Sequence, residues 1–309
     1  MTATARKRLA AAAVALSVGL GVAGCSATAA ADGPLVVVTT NILGDVVERV
    51  VGDQARVVTL MPPNADPHSF EISAQEAALI LDADVIVSNG LGLEEGLQRH
   101  VDAAEAEGVP IVAAGDLIDP LEYSAGDARG TDDPHFWTDP QRMIDVVDGI
   151  EREFAVAIDG IDAHELAQTS AAYRSELVDL DAHMSVSFAA IPAERRALVT
   201  NHHVFGYLAD RFDFRVIGAV VPSGTTLAAP SASDLDGLTS AIEEAGVSTI
   251  FADSSQPDRL VQVLADEADI DVAVVALFTE SLSAPGEGAE TYLEMMRSNE
   301  RLIATGLSP

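Results

Sequence analysis

The residues in this chain best suited to bind or transform something are its histidines: His68, His100, His135, His164, His183, His202 and His203. His100, His164 and His183 fall among charged residues in helical patterns, where a solvated face is their expected setting. The other four lie in irregular segments directly after apolar runs. His68 belongs to Met61-Pro-Pro-Asn-Ala-Asp-Pro-His-Ser-Phe-Glu71, and His135 to Asp133-Pro-His-Phe-Trp-Thr-Asp-Pro140. His202 and His203 follow an apolar run that ends at Thr200 and are expected to open a helix. Neutral imidazole is a common ligand for zinc and its neighbours, so three imidazole-bearing loops suggest a transition-metal site. Adjacent residues of a helix point about 100° apart, so His202 and His203 are not expected to bind one ion together. A ligating histidine must be neutral, so metal affinity should fall as pH drops through roughly 6.5.

The elements that must position these residues alternate between strand and helix. Leu35–Thr40 is a continuous apolar run, as in a parallel strand buried on both faces. Strands are also expected at 56–61, 85–87 and 109–113, with helices at 42–51, 73–81 and 93–106. Asn41 is positioned to cap the first helix. Residues 115–133 lose periodicity and gather Gly, Asp and Pro, which marks a surface loop. Helices follow at 140–157 and 162–190. The second has no Gly or Pro between Ala163 and Ile191, and at 1.5 Å per residue it would reach roughly 40 Å. That length suits a rigid connector between two lobes. Alternation then resumes, with strands at 197–200, 214–221, 248–252 and 272–277 and helices at 204–211, 233–245, 257–268 and 291–306. The expected fold is α/β, with two parallel sheets flanked by helices and joined by one long helix. In such sheets ligands gather at the carboxyl ends of the strands.

The chain of 309 residues carries 17 basic and 49 acidic side chains, a formal charge of -32. A surface of that sign repels phosphate backbones and argues against nucleic acid as a partner. Three of the basic residues, Arg6, Lys7 and Arg8, precede the small apolar run Leu9–Val22, which is too short for a spanning helix and matches the core of a signal peptide. The run leads into Val22-Ala-Gly-Cys25, and Cys25 is the only cysteine. It has no disulfide partner. The pattern resembles a bacterial lipobox, which implies cleavage before Cys25 and a lipid on its thiol. Residues 1–24 would then be the signal peptide and 25–34 a tether. The lobes would span 35–161 and 191–309, with 162–190 as the connector.

Three histidine segments carry a more specific resemblance. They are Asp66-Pro-His68-x-Phe-Glu71, Asp133-Pro-His135-Phe-Trp-x-Asp-Pro140 and Asn201-His202-x-x-Phe-Gly-Tyr207. With Phe278-Thr-Glu280-Ser-Leu and the tail Glu290–Asn299, they resemble the zinc/manganese solute-binding lipoproteins of ABC importers, over roughly residues 35 to 307. The resemblance implies metal in the cleft between the lobes, held by His68 and His135 from the first and by His202 and Glu280 from the second. Glu280 stands where that family more often has Asp, and Asp253 is a weaker candidate for the same role. It implies delivery to a permease with its ATPase, by a monomer anchored through Cys25 to the outer face of the membrane.

Three imidazoles and a carboxylate suit Zn²⁺, while manganese, the alternative, favours an oxygen-richer shell. The loop Tyr123–Asp133 is acidic and lacks histidine, so its Asp127, Asp132 and Asp133 would attract cations only weakly. Asp66 and Asp139 could orient ligand imidazoles or serve as turn and cap residues beside Pro67 and Pro140. A zinc hydrolase and a surface adhesin are the competing functions. Four protein ligands would leave no open position for catalytic water, and no Gly-x-Ser-x-Gly motif appears.

Overall fold

The computed structural model describes residues 33–308 apart from Ala125, Asp127, Asp258 and 268–271. Cys25, the signal-peptide run and Asp127 lie outside the described residues. Among the described residues, eight strands form two four-stranded parallel sheets. In the first, β1 (Leu35–Val38), β2 (Arg56–Thr59), β3 (Val85–Ser88) and β4 (Ile111–Ala113) lie in the order β2-β1-β3-β4. In the second, β5 (Ala197–Thr200), β6 (Arg215–Ala219), β7 (Thr249–Asp253) and β8 (Ala273–Leu277) repeat that order as β6-β5-β7-β8. All pairings are parallel. The helices are α1 (Asn41–Val51), α2 (Ala74–Leu81), α3 (Gln98–Ala106), α4 (Pro140–Ala157), α5 (Ala163–Ala189), α6 (Gly206–Phe212), α7 (Ala232–Ala245), α8 (Arg259–Glu267) and α9 (Tyr292–Leu307).

Strand residues point alternately to the two faces of a sheet, and the cores divide accordingly. Leu35 and Val37 join an outer core with Ile80 and Ala104 of α2 and α3. Val36 and Val38 face an inner core. Val199 and Ile250 likewise meet Leu238, Ile242 and Leu264 of α7 and α8 in a second outer core. The inner core is continuous across both lobes, running from Val36 through Phe188 and Tyr207 to Ile303.

Helix α5 is the spine of that core. Asp162 caps it by accepting from the backbone N–H of His164 and Glu165. Tyr173, Leu177, Leu180, Met184 and Phe188 recur every three or four residues, Leu166 stands seven residues before Tyr173, and all are buried. Each such side chain contributes roughly 1.5–3 kcal/mol by leaving water. The helix packs on α1 and α4 of the first lobe and on α6 and α9 of the second. It spans both lobes without interruption, as its composition predicts.

Tertiary contacts shift three local expectations. Thr40, not Asn41, caps α1 by accepting from Leu43 N–H. Asn41 is instead drawn toward the other lobe. The helix expected from Leu93 begins only at Gln98, because Glu94 turns inward and its carboxylate accepts from Thr39 Oγ1 and from the Asn89 and Gly90 N–H groups. The helix expected at 204 begins at Gly206, so His202 and His203 lie in the loop that precedes it.

Candidate metal centre

Four side chains converge from four strand exits. His68 follows β2, His135 lies between β4 and α4, His202 stands two residues after β5, and Glu280 three after β8. The backbone of each loop is held by a nearby side chain or by the opposite lobe. Asp66 Oδ1 accepts from His68 N–H at 2.9 Å and Asp133 Oδ1 from His135 N–H at 3.0 Å, so both Asp-Pro-His segments form the same side-chain turn. Thr200 Oγ1 donates to the His202 carbonyl at 2.6 Å. The Glu280 segment is tied to the first lobe: Trp137 Nε1 donates to the Thr279 carbonyl, and Asn41 bonds Ser281 Oγ and Leu282 N–H.

The donor atoms sit at metal-site spacing. The separations are 3.1 Å for His202 Nε2 to Glu280 Oε1, and 3.4 Å for His135 Nε2 to both His68 Nε2 and His202 Nε2. Glu280 oxygens lie 3.5 Å from His135 Nε2 and 3.6 Å from His68 Nε2. All four ligand atoms lie within 4.8 Å of one another. With bonds of about 2.0–2.1 Å, a tetrahedral zinc shell has donor–donor edges of about 3.3–3.4 Å. The donors present therefore fit such an ion in type and spacing.

Protonation states agree with that geometry. The four residues are at most 2% exposed. Burial holds the His68 imidazole down at about 4 and the His135 imidazole at about 3, with Glu280 opposing and neighbouring imidazoles reinforcing. Burial lowers His202 and raises Glu280, the latter against His135 and His68. At neutral pH the imidazoles are uncharged, so their contacts with Glu280 are not ion pairs. Among the described residues, neither Glu280 oxygen has a hydrogen-bond donor. For His202, burial and not a helix N-terminus is the leading cause, since α6 starts four residues later.

The two Asp-Pro-His segments differ at the ring. Asp133 Oδ1 also lies 2.7 Å from His135 Nδ1, which places the proton there and leaves Nε2 as the donor lone pair. Burial pushes the Asp133 carboxyl up to about 7 against the hydrogen bond from His135 N–H. Gly206 makes room for it, since a Cβ there would lie 2.5 Å from Asp133 Oδ2. Tyr123 Oη is 3.2 Å from the same His135 nitrogen, and the Trp137 ring packs edgewise at 5.2 Å.

Of the second-layer residues expected from sequence, neither Asp66 nor Asp139 orients a ring. Asp66 accepts from the His68 N–H but makes no hydrogen bond to the His68 ring, and Asp139 caps α4 by accepting from Gln141 N–H. Asp133, read from sequence only as a weak cation attractor, has the ring-orienting position and is buried. Its Asp-Pro-His setting, shared with Asp66, was the available signal. Sequence reasoning also missed Asn89, whose side-chain amide donates to the Pro134 carbonyl, and Glu94, which holds the Asn89 N–H. Asp253 does not join the donor group. Its Oδ1 accepts from Ser255, its buried Oδ2 has no partner, and burial together with Glu280 pushes it up to about 6. His203 points away, lining with Asp133 and Glu122 a cavity of about 530 Å³ beside α6.

Known proteins with this architecture are readily found. The curated zinc-binding protein TroA of Treponema pallidum is 30% identical over 288 residues, covering 92% of each chain. The manganese-binding lipoprotein MntA of Halalkalibacterium halodurans is 27% identical over 277 residues, covering 90% of this chain and 89% of its own. The solved structure of the periplasmic zinc-binding protein TroA superposes with a TM-score of 0.82 at 28% identity, over 90% of this chain and 100% of that one. The model of one family, zinc-uptake complex component A, periplasmic, matches residues 36–306. With nearly the whole described fold inside that match, the chain belongs to the ZnuA family of metal-uptake solute-binding proteins.

Proposed function

We propose that this protein is the extracytoplasmic cation-binding component of an ABC importer, taking up Zn²⁺ through His68, His135, His202 and Glu280 and handing it to a permease driven by an ATPase. The carrying observation is the convergence of three neutral Nε2 donors and an unpartnered carboxylate, two from each lobe, at 3.1–3.6 Å. The donor set resembles a closed zinc shell. A closed shell leaves no position for water, which favours binding over hydrolysis. All four donors come from one chain, so a monomer suffices. Export over residues 1–24, a lipid on Cys25, a tether to residue 34, lobes at 35–161 and 191–309 and the connector at 162–190 complete the same reading.

Manganese is the second reading. Both Glu280 oxygens are uncommitted among the described residues, so the carboxylate can offer two hard donors, and relatives including MntA are named for manganese. Metal analysis of protein purified without added metal, followed by competition between zinc and manganese, decides between them. One zinc per chain that manganese fails to displace supports the first reading. Absence of any bound metal, or turnover of ester or peptide substrates by the zinc-loaded protein, would overturn the proposal.

A further inference from the structure

Asp66 has a second role in the structure, separate from its turn. Its two oxygens divide their partners. Oδ1 accepts from His68 N–H, within the ligand's own turn. Oδ2 accepts from Ser69 Oγ at 2.9 Å, from Thr226 Oγ1 at 2.6 Å and from Gln256 Nε2 at 3.0 Å. Thr226 and Gln256 belong to the second lobe, in the segment 222–230 after β6 and in the turn between β7 and α8. With His202 they line a small cavity of about 100 Å³. One carboxylate therefore joins the turn that presents a first-lobe ligand to the segment beside a second-lobe ligand.

The position of these bonds separates them from the deeply buried links between the lobes and sets them with the peripheral ones, such as the exposed bond from Asn64 Nδ2 to Glu287 Oε2. The Asn41–Ser281, Trp137–Thr279 and Tyr292–Trp137 bonds are fully buried. Helix α5 packs on α1, α4, α6 and α9, none of which carries Asp66, Thr226 or Gln256. The Asp66 bonds to the second lobe are only partly buried, and Leu227, Ala228 and Ala229 of the adjoining segment are exposed. A second tie lies alongside, where Tyr123 Oη donates to the Gly224 carbonyl at 3.2 Å. Segment 222–230 is thus held at its edge by groups that also touch the His68 turn and the His135 ring. Bonds accepted by an ionised carboxylate are stronger than neutral ones, and partly buried ones open first.

We propose that Asp66 is a positioning residue that clasps segment 222–230 and the β7–α8 turn against the His68 turn, and that this clasp sets the rate at which the bound cation leaves. This rests on the functional reading above. Release then begins by parting Asp66 Oδ2 from Thr226 and Gln256, while α5 and the buried links stay in place.

The test is a chelator chase of the zinc-loaded full chain, read as the rate of zinc release. Thr226→Val should speed release about tenfold, as expected for losing one hydrogen bond to a charged group. Thr226→Ser should restore the wild-type rate, and Gln256→Leu should speed release less than Thr226→Val. Asp66→Ala combined with Thr226→Val should release no faster than Asp66→Ala alone, because the first change already removes the acceptor that Thr226 uses. In the metal-free protein, amide exchange at residues 66–70 should rise in Thr226→Val with no loss of thermal stability. Wild-type release from Thr226→Val and Gln256→Leu, fully additive effects, or unchanged exchange at 66–70 would each overturn the clasp. The exchange result does so without any metal, whereas a wild-type chain that takes up neither zinc nor manganese overturns the functional reading alone.

Discussion

His135 and His202 are presented by opposite lobes to the same point, yet they are held in different ways. The His135 ring is tethered through Nδ1 by Asp133, approached by Tyr123 and packed on Trp137. The His202 Nδ1 is buried without a partner. Its loop is fixed through the backbone, by Thr200 on its carbonyl and by the bond from His203 N–H to the Ser223 carbonyl. Asp133 therefore preorganises the tautomer of His135 by side-chain chemistry, while the Nδ1 atoms of His202 and of His68 in the first lobe find no partner among the described residues, and His202 is aimed by strand β5 and packing. In such a site the tethered ring defines the donor geometry and the untethered one adapts to it.

The largest expected effect removes a donor from either lobe. Structural zinc sites bind with about 10–16 kcal/mol over four ligands, so His135→Ala or His202→Ala should weaken zinc about 10²–10³-fold by chelator competition. His100→Ala, on the exposed side of α3, should leave affinity unchanged. Equal affinity in all of these variants would break the site assignment.

Asp133→Ala tests the comparison directly. Loss of the ring tether should weaken zinc about 10–100-fold. Thr200→Val, which touches only the His202 backbone, should cost less than Asp133→Ala in the same titration. The reverse order would show that the backbone placement of His202, not the ring tether on His135, governs affinity.

A stability effect of about 2–3 kcal/mol is expected at Asp253. Burial lifts its carboxyl from 3.8 to about 6 in the folded protein, with the Glu280 charge adding to the lift. Between those values the folded chain holds a proton that the unfolded chain has lost. Stability is therefore lost as pH rises from about 4 to about 6 and is not regained above. Asp253→Asn removes that loss, so metal-free variant and wild type should unfold alike in urea near pH 4, with the variant more stable by up to about 3 kcal/mol at pH 7. A difference that does not change with pH would contradict the burial argument.

The same reasoning revises the fall in metal affinity expected near pH 6.5. With His68 held at about 4 and His135 at about 3, their protons compete only in stronger acid. The decline in milder acid should come from carboxylates whose range burial has raised, with Asp133 pushed up to about 7 beside the His135 ring and Asp253 to about 6, and Glu280 raised as well. In Asp133→Asn the dependence of zinc affinity on pH between about 7.5 and 5 should flatten, which titration across that range would read. The smallest effect belongs to His203→Ala. That ring lines the neighbouring cavity and not the donor group, so affinity should change less than about twofold, well under the ~1.4 kcal/mol of a tenfold change.

Much of this arrangement was legible in the residues. Runs such as Leu35–Val38 and Ile250–Ala252 are apolar throughout because a parallel strand covered on both faces has no wet side. The connector was legible because 27 residues without Gly or Pro can hardly avoid a helix. The donor types were legible as well, since imidazoles in loops after apolar strands are expensive to bury without a purpose. Less was visible at Leu93–Leu97, where helical spacing persists but a buried carboxylate bonded to Thr39 and Asn89 overrides it.

The repeated Asp-Pro-His segment separates what each level decides. Local chemistry determined the turn in both copies: an aspartate two residues before a histidine, across a proline, accepts that histidine's N–H at 2.9 Å in one and 3.0 Å in the other. Whether the carboxylate also takes the ring nitrogen was not contained in the segment. Asp66 Oδ2 is drawn across the cleft by Thr226 and Gln256, from positions 160 and 190 residues away. Asp133 lies against Gly206, where no side chain obstructs it, and turns to the imidazole beside it. Identical turns acquired different roles because a carboxylate has more lone pairs than its own turn can use, and only the folded chain decides which donors reach the remainder.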